Sequence, residues 1–174
     1  MKAAVYEGNQ VLTLRERAFV KPEAGQAQLN VAYCGICGSD LHILQGSEDK
    51  RMTLPSVIGH ECSGVVGEVG EGVDGVKPGD RVVVWPVKSC GECPACKEGF
   101  GHVCQHLQVR GIETEGSFQS SWTLDADALV KIPEGSACCT RRWRSRLLSA
   151  AMWSGAARSK RAITRLSSAA ARSG

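Results

Sequence analysis

Gly70-Glu71-Gly72-Val73-Asp74-Gly75-Val76-Lys77-Pro78-Gly79-Asp80-Arg81-Val82-Val83-Val84-Trp85 is the stretch on which the fold class turns. Its first six residues match G-x-G-x-x-G, which in a dinucleotide-binding unit opens a helix whose N-terminus holds a pyrophosphate. Here Pro78 and Gly79 follow at once and lead straight into the valine-rich run 81–85. No helix has room to start, so the glycines read as a hairpin-like turn. The pattern occurs nowhere else in the 174 residues.

Outward from this turn, short apolar runs at 2–6, 11–15, 28–34, 63–69, 81–85, 117–124 and 129–132 are rich in Val and separated by Gly and other turn residues. Runs of that length predict strands of a barrel or sandwich, with few helices before residue 135. The hydrophobic share of 43% is enough for a core. No run approaches the ~18 apolar residues of a membrane span, and the first eleven residues lack a secretory apolar stretch. The expectation is a cytoplasmic protein.

The net charge of +3 conceals two sequences of opposite character. Residues 1–135 carry 18 acidic and 12 basic residues, a net of −6, whereas residues 136–174 carry nine basic residues and no acid. Basicity confined to a Ser, Ala and Arg-rich tail is no argument that the body binds nucleic acid. The chain divides into a domain at 1–135 and a basic low-complexity tail at 136–174, which reads as frameshifted coding sequence or as disordered. In the tail, Trp143, Leu147, Ala150 and Ala151 have helical spacing among arginines, the alternative being a basic interaction helix.

Nine cysteines without a secretory signal point to metal rather than disulfides. Cys90-x-x-Cys93-x-x-Cys96 followed by Cys104 lies in a loop rich in Gly, Lys and Glu. Four thiolates there can close a tetrahedral shell on Zn²⁺, and a closed shell supports a loop rather than chemistry. A second group is Cys34-Gly-Ile-Cys37-Gly-Ser39-Asp40-Leu-His42 with Gly59-His60-Glu61-Cys62. Cys37, His60 and Glu61 fit a zinc site with three protein ligands and one open position. The competing reading makes Cys34, Cys37 and Cys62 small buried strand residues and His60 a core histidine. Cys34-x-x-Cys37 lacks the βαβ surroundings of a redox motif.

Together these segments resemble the N-terminal catalytic domain of the zinc-containing medium-chain alcohol dehydrogenases, in particular the sorbitol, threonine and butanediol dehydrogenase branch. The matching pieces are 34–42, Leu-Pro-Ser-Val-Ile-Gly-His-Glu at 54–61, Gly-Val-Lys-Pro-Gly-Asp-Arg-Val at 75–82, the four-cysteine loop, and Leu-Val-Lys-Ile-Pro-Glu-Gly at 129–135. The resemblance implies a mainly β, GroES-like, partly open barrel with a structural-zinc loop. It makes Cys37 and His60 ligands of a catalytic zinc, Glu61 a third ligand or a supporting carboxylate, and Asp40 the acceptor of the other His60 ring N–H. Ser39 and His42 match the proton relay, and Ile43 and Trp85 are candidates for the cleft wall.

The implied activity is hydride transfer from a small-molecule alcohol or polyol to NAD(P), with zinc at both sites and neither nucleic acid nor membrane as partner. Family members are homo-oligomers. The family's Rossmann domain is expected to be missing from this chain, leaving a truncated catalytic domain without activity of its own. The alternative function is a zinc-stabilised binding module whose tail mediates interaction.

Overall fold

A computed structural model describes residues 1–133; the expected tail at 136–174 lies outside them. Ten strands dominate: β1 (Lys2–Gly8), β2 (Val11–Glu16), β3 (Gln26–Gly35), β4 (Ser56–Val57), β5 (Glu61–Val69), β6 (Arg81–Val84), β7 (Val87–Lys88), β8 (Gln108–Val109), β9 (Ser121–Asp125) and β10 (Leu129–Lys131). Two short helices, α1 (Gly38–Leu44) and α2 (Pro94–Lys97), interrupt them. Among the described residues no helix is long and apolar enough to cross a membrane.

The strands form three antiparallel sheets, with orders β2-β1-β4, β10-β6-β5-β3-β9 and β7-β8. This is the mainly β architecture expected, and the ladders of the described residues do not close into one ring. Alternation decides which side chains meet. Val82 and Val84 of β6, Trp122 and Leu124 of β9, and Leu29 and Val66 of the β3–β5 pair all turn into one core. A second core gathers Tyr6, Ile43, Met52, Ile58 and Ile112.

The segment 70–80 is the turn read from Pro78 and Gly79. It joins β5 to its antiparallel neighbour β6, and Gly79 N–H donates to the Val66 carbonyl while Val66 N–H donates to that of Asp80. The strand expected over 117–124 begins only at Ser121. Residues 116–118 instead donate backbone N–H groups to the carbonyls of Val57, Gly59 and Ile58, while Phe118 accepts from Ala4. With these N–H groups given to residues 57–59 and the Phe118 carbonyl to β1, the segment pairs with β3 only from Ser121 onward. The expectation that Ile43 lines a cleft is also corrected: it is fully buried in the second core, because α1 needs an apolar anchor and Ile43 faces inward.

Candidate metal centres

Antiparallel pairing explains how distant residues meet. The end of β3 runs beside the start of β5, with Cys34 opposite Cys62 and Gly35 opposite Glu61. Cys37 follows β3 and caps α1, while His60 immediately precedes β5. The donor atoms of Cys37, His60 and Glu61 therefore lie within 4.8 Å of one another. Gly59 makes the approach of His60 possible. Its φ of +93° is a left-handed conformation, and a Cβ there would sit 2.5 Å from the Phe118 ring.

Helix α1 supplies the supporting groups. Asp40 is buried, and its Oδ2 accepts the Cys37 backbone N–H at 2.7 Å. Its Oδ1 stands 3.7 Å from Nδ1 of the buried His60, and neither atom has a hydrogen-bond partner. Desolvation raises the Asp40 carboxyl above its ordinary value, against the opposing pull of the Cys37 N–H and His60. A cation on Nε2 would place the imidazole proton on Nδ1, facing that carboxylate, so the two orphaned atoms fit a metal-bound histidine. Ser39 Oγ is 3.4 Å from Nε2. One helical turn on, His42 is exposed, and its carbonyl accepts from the Ser47 hydroxyl at 2.7 Å.

The second group gathers between β7 and β8. The sulfurs of Cys90, Cys93, Cys96 and Cys104 lie within 4.8 Å of one another. Individual separations are 3.4 Å for Cys104–Cys90 and 3.9 Å for Cys90–Cys96 and Cys93–Cys104. A tetrahedral shell with Zn–S bonds of ~2.3 Å puts its sulfurs about 3.8 Å apart, so the donor set and spacing fit zinc. Backbone N–H groups of Cys93, Cys90 and His106 point at these sulfurs at 3.3 to 3.4 Å. N–H groups of Gln105 and Cys96 bring the Cys93 thiol down to about 6. Desolvation and the Cys93 thiol push Cys96 up to about 12. Four sulfurs this close cannot all ionise without a cation between them.

Cys34 and Cys62 stay outside both groups. Burial pushes the Cys34 thiol up to about 11 and raises Cys62 further, so neither is a thiolate at neutral pH. Ser117, distant in sequence, reaches Cys34 with an Oγ–Sγ distance of 2.8 Å. Neither Ser117 nor Phe118 has a sequence pattern that points to these centres; the meeting of residues 116–118 with 57–59 places them.

The profile described as the alcohol dehydrogenase GroES-like domain matches residues 23–134. A 2-dehydro-3-deoxy-L-galactonate 5-dehydrogenase of Pseudoalteromonas atlantica is 50% identical over 135 residues, 78% of this chain and 40% of that protein. The alcohol dehydrogenase rspB of E. coli CFT073, solved in complex with NADH, superposes with a TM-score of 0.72 at 42% identity, covering 79% of this chain and 40% of that one. A cobalt- and zinc-bound alcohol dehydrogenase of Pyrobaculum aerophilum gives 0.68 at 30% identity, over 75% and 41%. The chain thus spans about 40% of the length of these relatives.

Proposed function

Since the chain belongs to the family of alcohol dehydrogenases with a GroES-like domain, we propose that residues 1–135 are the zinc-binding catalytic domain of a dehydrogenase oxidising a small alcohol or polyol. Cys37, His60 and Glu61 hold the catalytic zinc, and Cys90, Cys93, Cys96 and Cys104 hold a structural one. The observation that carries this reading is the convergence of three donors from two strand ends, beside a buried carboxylate facing His60. Zinc at such a site supplies Lewis acidity, which lowers the pKa of an alcohol oxygen. Asp40 fixes the His60 tautomer, leaving Nε2 to the metal. Ser39 Oγ takes the alcohol proton and passes it toward the exposed His42, whose imidazole exchanges it with solvent. The hydride acceptor is a nicotinamide dinucleotide, a role supported by the NADH bound to the E. coli relative.

Metal analysis tests the reading. The purified chain should hold about two zinc ions, one exchangeable and one resistant to chelators. With cobalt in the exchangeable site, added imidazole should perturb the visible bands, because only a centre with an open position accepts another ligand. Cys37→Ala and His60→Ala should each lose that response while keeping the resistant ion. A single resistant ion, or no imidazole response, would overturn the catalytic assignment and leave a zinc-stabilised binding module.

A further inference from the structure

Cys34 and Cys62 are free thiols on directly opposed residues of the β3–β5 ladder. Opposed residues of an antiparallel pair project from the same face, with Cα atoms roughly 4.5 to 5.5 Å apart. A disulfide spans roughly 4.4 to 6.8 Å. Both thiols also reach one hydroxyl, that of Ser117, and both pack into the larger core. Neither contributes to the metal centres. We propose that Cys34 and Cys62 are a redox-modification site, oxidised by a hydroperoxide to a disulfide that staples β3 to β5 beneath the Cys37, His60 and Glu61 cluster.

The order of events follows from exposure. Cys34 is half-buried and Cys62 only 2% exposed, so a small peroxide meets Cys34 first. Cys34 Sγ breaks the O–O bond of hydrogen peroxide, giving a sulfenic acid and one water. Cys62 Sγ then attacks that sulfur, and the hydroxyl leaves as a second water with the Cys62 proton. Two thiols and one peroxide become one disulfide and two waters. Burial of both sulfurs limits the approach of the peroxide, so the reaction is slow.

The next rung of the ladder is Gly35–Glu61, where a Cβ on Gly35 would lie 2.8 Å from Glu61 Oε2. The Glu61 side chain therefore lies over Gly35. Drawing the two sulfurs together pulls Cys34 off the Ser117 hydroxyl and shifts this rung, so the disulfide displaces the carboxylate arm of the metal centre. That consequence rests on the function proposed above; the disulfide itself does not.

The test treats the zinc-loaded full chain with excess hydrogen peroxide and maps tryptic peptides without reduction. Peptides 18–50 and 52–81 should be joined, with fragment ions placing the bond at Cys34 and Cys62, and dithiothreitol should separate them. Cys34→Ser and Cys62→Ala should each abolish the link. A bond from Cys37, or over-oxidised Cys34 beside an intact Cys62 thiol, overturns the proposal. Release of the exchangeable zinc to a chromophoric chelator should be about tenfold faster after oxidation; an unchanged rate in linked protein overturns the effect on the metal centre. A chain that takes up no exchangeable zinc, yet forms the link, overturns the proposed function and upholds the disulfide.

Discussion

At the scale of single residues, metal chemistry was the legible part. Few side chains hold zinc, so the four loop cysteines stood out by type and spacing alone, whereas Cys37, His60 and Glu61 were separated from a buried-core reading by the family resemblance. The packing around them did not stand out. Gly59 could be seen in the sequence, but its reason, a left-handed backbone under the Phe118 ring, depends on a segment almost sixty residues away. Gly59→Ala should cost about 1 to 3 kcal/mol through backbone strain, with a further loss from the ring contact. It should also move His60 and weaken cobalt binding at the open centre more than at the four-sulfur one. Urea unfolding and competitive cobalt titration measure both effects, and equal weakening at the two centres would contradict the placement.

At the scale of elements, β1, β2, β3, β5, β6 and β10 were visible because each alternates or runs apolar over enough residues to show a period. Helix α1 was not, since seven residues hold only two turns, too few for a helical period to show. So short a helix persists through tertiary packing. Ile43 is its fully buried anchor against Tyr6, Met52, Ile58 and Ile112. Ile43→Ala should destabilise the protein by about 2 to 5 kcal/mol. Because Ser39 and Asp40 ride on the same helix, it should also loosen the open metal centre, whereas Leu41→Ala at an exposed position should do neither. Thermal melts of the two variants with and without zinc separate these outcomes.

At the scale of the whole molecule, Asp125 ties the zinc-loop sheet to the five-stranded sheet. Its Oδ2 accepts from Lys88 of β7 at 2.8 Å and from the buried guanidinium of Arg110 at 3.1 Å. The Lys88 bond, with Arg110 beside it, holds the Asp125 carboxyl below the usual carboxylate range. A lowered folded-state pKa adds stability above the unfolded value near ~3.9 and loses it as pH falls through the folded value. Asp125→Asn should therefore melt lower at pH 7, by about 1 to 2 kcal/mol from weakened bonding to buried Arg110, and the gap should close in acid below about pH 4. A gap constant with pH would show that charge is not its source. The sequence by itself determined the mainly β class and the turn at 70–80, and it offered the candidate donors of both centres, because periodicity, turn chemistry and ligand type are local properties. Only the tertiary structure decided that β3 and β5 run side by side, that residues 116–118 meet 57–59, and that Cys34 meets Cys62, because those distances follow from strand register and core packing between residues far apart in the chain.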